Sequence, residues 1–234
     1  MQQAQSTEIP NSEFHYRIEA RPDFALLTVS LPAGKTLKVE ASAMASMDSN
    51  LRMKTRMKGG LSRLFTGESL FINEFTAEGG AGEISIAPGS PGDIEHINLR
   101  NETVYLQNSA YLASSPQIEL ETKWQGVKKG FFSGESFFLI KASGTGDLWF
   151  NTYGAMIELP EGNSSVTVDT GHIVAFTEGL TYEVGRLGGY KSLFLSGEGF
   201  VCRFSGKGRI WIQTRKAEPL VRWLHWYRPV KSKD

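Results

Sequence analysis

One short motif occurs three times in the chain, and its spacing constrains the fold more than any other feature of the sequence. It reads LFTGESLF at 64–71, FFSGESFF at 131–138 and FLSGEGFV at 194–201. Upstream of each copy, an apolar strand, a polar turn (PAGKT, RNET or PEGNSS) and two alternating strands recur in the same order. Such a period indicates an architecture built from equivalent units. We therefore predict tandem repeats of about 65 residues.

The predicted organisation is a lead-in at 1–23, repeats at 24–91, 92–155 and 156–215, and a tail at 216–234, with the repeats forming one domain. Nearly every segment of the repeats alternates apolar and polar residues between Gly, Pro, Asn or Asp, the pattern of strands and turns. The fold class is therefore predicted to be all-β, with each repeat a small β-sandwich or half-barrel. We expect the three units to pack around a pseudo-threefold axis, because each then buries its apolar face against the next.

The repetition of the motif favours a structural role, because an active site is usually assembled once from different residues. We predict that its glycines allow a turn or bulge and that its glutamates accept hydrogen bonds from unpaired backbone N–H groups. The alternative is that the glutamates meet near the axis and bind a cation or a polar ligand. The residues concerned are Gly67, Glu68, Gly134, Glu135, Gly197 and Glu198.

The sequence contains no GxSxG, Walker A, HExxH or CxxC motif, so we predict no catalytic residue, metal or cofactor. The histidines at 15, 96, 172 and 225 lack the spacing of a zinc site. His172 lies in DTGH, which aligns with NSAY and ASAM and places it opposite Tyr111 and Met44. A half-buried structural histidine is expected there, with catalysis as the alternative. The single cysteine, Cys202, alternates with apolar residues and is predicted to be buried and unreactive.

Charge and targeting signals narrow the expected partners and location. Lysine and arginine number 25, as do aspartate and glutamate, so the formal net charge is zero and nucleic acid is not an expected main partner. No apolar run approaches the length of a membrane span. The first residues show neither a signal peptide nor a transit peptide pattern, and a lone cysteine fits a reducing compartment. We therefore expect a cytoplasmic location.

Two segments are candidate contact surfaces. The stretch LRMKTRMK alternates cations with other residues and would place Arg52, Lys54, Arg56 and Lys58 on one face of a strand. That face could meet an acidic partner, RNA or lipid headgroups, or it could pair with local acids. The tail combines a helical apolar stripe with cations and includes Trp223, Trp226 and Arg228. It suits an interfacial helix, a docking peptide for another subunit, or packing on the body of the protein.

Several longer segments are similar to a known family. They are MKGGLSRLFTGESLFINEFTA, APGSPGDIEHINL, SAYLASSPQIELETKWQGVKKGFFSGESFFLIKASGTGDLWF, VDTGHIVAF and FSGKGRIWIQTR. Together, over about residues 14–215, they resemble the AIM24 family (altered inheritance of mitochondria). The resemblance implies a β-rich fold related to the tryptophan RNA-binding attenuator protein, with pseudo-threefold repeats. It brings no catalytic residues, and eukaryotic members are associated with the organisation of the mitochondrial inner membrane.

These observations predict a non-enzymatic scaffold or interaction protein. We expect it to self-associate, or to bind a protein partner or a membrane surface, through its tail and its basic strand. The alternative is a small-molecule or RNA-binding module that uses clefts between the repeats.

Overall fold

The computed structural model describes residues 12–58, 70–124, 138–160, 165–186 and 200–228. Within them the chain is almost entirely β-structure, as the alternating pattern predicts, with one short α-helix. The elements are β1 His15–Glu19, β2 Leu26–Leu31, β3 Thr36–Glu40, β4 Met44–Met47, β5 Leu51–Lys58, β6 Leu70–Ala77, β7 Gly82–Ile86, β8 Ile94–Gln107, β9 Tyr111–Ser114, β10 Glu119–Trp124, β11 Phe138–Asn151, β12 Met156–Glu158, β13 Ser165–Asp169, β14 Ile173–Thr177, β15 Leu180–Arg186, β16 Phe200–Gly206, β17 Ile210–Gln213 and α1 Ala217–His225.

Antiparallel pairing joins these strands into three sheets in the described ranges. The first sheet has the order β1-β2-β7-β4, and the third has the order β13-β16-β15. The second and largest follows β12-β17-β14-β8-β11-β9-β3-β6-β5, with β10 paired to β11 beside this path. The long strands β8 and β11 lie in the middle of the path, so they connect strands from early and late parts of the chain.

The same pairing pattern occurs in the segments 26–86, 94–151 and 156–213. In the first segment, β2 and β4 flank β7, while β3 and β5 flank β6. In the last, β12 and β14 flank β17, while β13 and β15 flank β16. In the middle segment, one long strand, β11, takes both central positions. Its C-terminal end lies between β8 and β9, as β7 and β17 lie between their neighbours. Its N-terminal end lies between β8 and β10, as β6 and β16 lie between theirs.

The middle segment differs from the sequence expectation at its polar turn. RNET is predicted to be a turn, but β8 runs through it as a strand that stays paired with β11. The polar residues produce an irregularity instead: Asn101 has φ 61°, and the register shifts between Gly144 and Thr145. Positive φ at Asn and Gly costs little, so both strands bend together without ending.

The strand registers also correct one position of the sequence alignment. Tyr111 pairs with Phe150 and Ile173 pairs with Ile212, each directly after a 3₁₀ turn. Tyr111 therefore corresponds to Ile173, and His172 is the last residue of its turn. The alignment that sets His172 opposite Tyr111 is wrong by one residue, because the small and polar residues of these turns give little to fix it.

The apolar faces of the sheets enclose three clusters of buried side chains. One contains Trp149 together with Leu27 and other residues of the first segment. A second contains Tyr111 and draws on residues of all three segments. The third is built around Phe176 and includes Leu139 from the middle segment. Because every cluster uses strands from more than one segment, the segments share their core.

Candidate functional site

α1 follows β17 directly, and the sequence explains where it begins. Lys216 precedes the first helical residue, and its Nζ lies 3.1 Å from Asp169 Oδ2, which fixes the start of the helix next to β13. Pro219 falls in the first turn, where its missing N–H is not needed. Glu218 lies near the positive end of the helix dipole and forms an ion pair with Arg222 one turn later.

The helix is amphipathic, and none of its residues is buried. At 3.6 residues per turn, an apolar face of about 100° is formed by Leu220, Trp223, Leu224 and Tyr227. All four are exposed: the fraction is 56% for Trp223 and 69% for Tyr227. Trp226, beside this face, is 85% exposed. The described part of the tail therefore presents an apolar face to solvent, which is not the packing on the body that the sequence leaves open.

Cations accompany the apolar face. Arg222 and His225 lie in the last turn of α1, on the side opposite the apolar residues. Arg228 follows the helix and is exposed, as is Arg215 before it. An apolar face that contains Trp and Tyr, with basic residues on the opposite side and next to both ends of the helix, is the composition of a helix that lies in a membrane–water interface. No helix in the described ranges is long and apolar enough to cross a membrane.

The second predicted contact surface lies on β5, which ends the largest sheet at the side opposite β12 and β17. Arg52 Nε lies 3.2 Å from Glu78 Oε2, and Arg56 Nε lies 2.7 Å from Glu74 Oε2. Lys54 is exposed between them, and Lys58 is the last residue of the strand. Exposed ion pairs of this kind contribute at most about 1 kcal/mol. They nevertheless place an acid beside two of the cations, so this face has less net positive charge than its sequence indicates.

The repeated motif gives no geometry for a site. Its six residues lie outside the described residues: Gly67, Glu68, Gly134, Glu135, Gly197 and Glu198. His172 is described and half-buried, with its Nδ1 donating to the carbonyl oxygen of Gln213 at 2.6 Å. In the described part of the chain, no three His, Cys, Asp or Glu side chains are grouped so that they could hold a metal ion.

A buried polar cluster surrounds Asp147, and no motif of the sequence indicates it. His96 Nε2 donates to Asp147 Oδ1 at 2.8 Å, and Asn98 Nδ2 donates to the same oxygen at 3.0 Å. The other oxygen, Oδ2, accepts the backbone N–H of Glu13 at 2.9 Å and lies 3.1 Å from Ser12 Oγ. The side chains of His96 and Asp147 are only 2% and 0% exposed. The cluster therefore fastens the segment before β1 to β8 and β11.

The protonation of Asp147 follows from these contacts. Burial would raise the pKa of its carboxyl group, but the hydrogen bonds from His96 and Asn98 outweigh burial and hold the pKa below its usual value. The carboxylate is therefore ionised and accepts all of these hydrogen bonds. The ring of Tyr16 covers that of His96, with 4.6 Å between their centroids. Burial raises the pKa of the Tyr16 hydroxyl group. This neighbourhood holds a strand in place, and among the described residues no hydroxyl or thiol is hydrogen-bonded to the His96 ring.

Glu40 ends β3 and is half-buried, and burial raises the pKa of its carboxyl group to about 7. Above that pH the folded protein must hold a poorly hydrated charge, a cost that is absent below the ordinary glutamate pKa of about 4.3. We expect Glu40→Gln to raise the free energy of unfolding by about 2 kcal/mol at pH 8, since a pKa unit corresponds to about 1.4 kcal/mol and partial exposure reduces the cost.

Urea unfolding at a series of pH values would measure this effect, which should disappear near pH 4. Glu121→Gln, on an exposed position of β10, is the matched control and should change stability by less than about 0.5 kcal/mol. An equal gain for both variants at pH 8 would contradict the role of burial.

An apolar pocket of about 70 Å³ lies inside the third predicted repeat, not between two repeats. Its lining includes Leu159, Val166, Leu180, Phe204 and Ile210. Ligand sites for drug-sized molecules are about 300 Å³ or larger. The pocket is therefore too small to support the alternative of a ligand module that uses clefts between repeats.

One protein family and proteins of Streptococcus pyogenes are similar to most of this chain. The model of the family described as Mitochondrial biogenesis AIM24 matches residues 16–215. An uncharacterised protein of Streptococcus pyogenes serotype M6 is 26% identical over 238 residues, which cover 97% of this chain and 96% of that protein. An X-ray crystal structure of a Streptococcus pyogenes protein is similar with a TM-score of 0.78 and 25% identity, covering 92% of this chain and 100% of that chain.

The family match begins at the second residue of β1, includes all the later strands and ends two residues before α1. It agrees with the resemblance carried by the motifs of the sequence. The chain therefore belongs to the AIM24 family.

Proposed function

We propose that this protein is a non-enzymatic interaction protein that binds an anionic membrane surface through α1. The observation that carries the proposal is the exposed apolar face of Leu220, Trp223, Leu224 and Tyr227. Burying a Leu or Trp side chain contributes about 1.5 to 3 kcal/mol, and tryptophan favours the interfacial region of a bilayer. Each basic residue near an anionic surface adds about 1 kcal/mol.

The body is proposed to serve as the scaffold that α1 anchors. We propose that its segments are tandem repeats about a pseudo-threefold axis, related in fold to the tryptophan RNA-binding attenuator protein. The recurring strand pairing supports the repeat organisation. The cytoplasmic location belongs to the same proposal and is supported by the single cysteine, which cannot form an intramolecular disulfide.

Sedimentation with vesicles tests the membrane proposal. The full-length protein is expected to sediment with vesicles that contain phosphatidylglycerol and much less with phosphatidylcholine vesicles. The double variant Trp223→Ala/Trp226→Ala should weaken binding about a hundredfold, because two interfacial anchors are lost. Phe24→Ala is the matched control, since Phe24 is 73% exposed on the body and outside α1.

Equal sedimentation of the wild-type protein and the double variant would contradict the proposal, as would a wild-type protein that ignores anionic vesicles. Circular dichroism of the variants should match that of the wild-type protein, because the replaced side chains are exposed.

A further inference from the structure

Among the described residues, two strand edges have no partner strand although their counterparts form the junctions between segments. β9 lies between β11 and β3, and β14 lies between β17 and β8. β4 holds the equivalent place in the first segment and pairs with β7 through the same one-residue bulge. Its other edge has no partner strand among the described residues. β13, which corresponds to β3, likewise pairs there only with β16.

Burial follows this difference in pairing. Every residue of β9 is buried, and so are the first four residues of β14, whereas all four residues of β4 are exposed. Met47 is 40% exposed, while Ser114 and Phe176 at the same register position are fully buried. On β13, Thr167 is exposed, although Lys38 at the corresponding position of β3 is buried.

Charge distinguishes these two edges from the others in the described chain. Soluble proteins protect strand edges with charged side chains, which discourage pairing with another chain. The edge strands β1, β5, β10, β12 and β15 each carry such residues, among them Arg17, Arg52, Glu119, Glu158 and Glu183. β4 has none, and the one charged residue of β13, Asp169, is bonded to Gly171 and Lys216. The unprotected edges are thus the two whose counterparts form the junctions between segments.

The chain shows how such edges pair, because both internal junctions have the same register. Lys38 of β3 lies opposite Ser114 of β9, and Tyr105 of β8 lies opposite Phe176 of β14. The strands are antiparallel in both cases. A third junction with this geometry would need one strand of the β4 type and one of the β13 type, and in the described residues of one chain these two strands are not paired with each other.

We propose that β4 of one copy of this protein pairs with β13 of a second copy. In the register of the internal junctions, Met47 of one copy lies opposite Thr167 of the other. Each chain brings one edge of each type, so the contact is head-to-tail. In a reciprocal dimer or a closed ring, both edges of every chain are paired. Methionine side chains adapt to a neighbouring surface, which suits Met44 and Met47 to an edge that must be covered on assembly.

The proposal does not depend on α1, and edge variants test it. Analytical ultracentrifugation of the full-length protein is expected to show association that strengthens with concentration. Met47→Lys or Thr167→Lys alone should weaken it at least about tenfold, because a lysine blocks one edge of every junction. A mixture of these two variants should form pairs through one intact junction, since each supplies the intact edge that the other lacks, and should not grow beyond a dimer. Met47→Glu/Thr167→Lys in one chain should restore association through opposed charges.

Both positions are exposed, so the variants should keep the melting temperature of the wild-type protein. A wild-type protein that stays monomeric across the micromolar range would overturn the proposal, as would association that neither lysine variant weakens. Deletion of 217–234, which keeps Lys216 and its contact with Asp169, should leave association intact. If that deletion alone abolished it, assembly would run through α1 and the edge pairing would be refuted, whatever the vesicle experiment shows.

Discussion

Replacement of Phe176 by alanine is expected to lower the free energy of unfolding by about 4 kcal/mol. Phe176 is fully buried on β14, and its ring lies 5.1 to 5.2 Å from those of Tyr105, Tyr182 and Phe204. Tyr105 belongs to β8 and the other two to the third sheet, so one side chain joins strands from different segments. Its removal leaves a cavity that these strands can fill only by moving closer together.

Met47→Ala is the matched control, because Met47 occupies the same register position of β4 but is 40% exposed. Guanidinium unfolding of the two variants should give losses of about 4 kcal/mol and less than about 1 kcal/mol. Losses of similar size would mean that the β4 edge is covered in the folded chain. The same pair of variants therefore also examines the bare edge on which head-to-tail association depends.

Replacement of Asp147 by alanine is expected to cost about 3 kcal/mol at neutral pH. The variant leaves the buried His96 without its partner and removes the acceptor of the Glu13 backbone N–H, and unpaired buried groups of this kind are costly. Because the pKa of Asp147 is lowered by folding, its contribution is present above the ordinary aspartate pKa of about 3.9 and is lost as the pH falls through the folded value.

Hydrogen exchange would localise the effect of Asp147→Ala. Amide protection should fall most in β1, which the cluster holds against the body, while β16 and β17 should keep theirs. Asp48→Ala is the control: Asp48 is exposed and accepts one backbone N–H, from Glu83, so its loss should cost about 1 kcal/mol or less. Uniform loss of protection would contradict a local fastening role.

The strands and the tail helix were predictable because their signals are local. Period-two alternation predicts β2, β3 and β16 from a few neighbouring residues, and the spacing of Leu220, Val221, Leu224 and Tyr227 predicts α1 in the same way. The continuity of β8 and β11 was not predictable. Their polar stretches resemble turns, and only pairing between the two strands keeps both extended there.

The Asp147 cluster shows a different limit. His96 and Asp147 are 51 residues apart in sequence, and neither lies in a motif that indicates contact with the other. Their pairing depends on the register of β8 against β11, which a single sequence does not reveal. The bare edge of β4 is equally hidden, because the sequence of the first segment resembles the others while its neighbour in space is missing from the described chain.

The cysteine has a practical consequence for the study of α1. Cys202 is fully buried on β16, and burial raises the pKa of its thiol to about 12. Alkylating reagents attack the exposed thiolate, so the native protein should leave them unreacted. A cysteine introduced at Glu218 or Arg222 would then be the one site that a maleimide dye labels. Because Cys202 does not react, a dye on the introduced cysteine alone would report how deeply the helix lies in a bilayer.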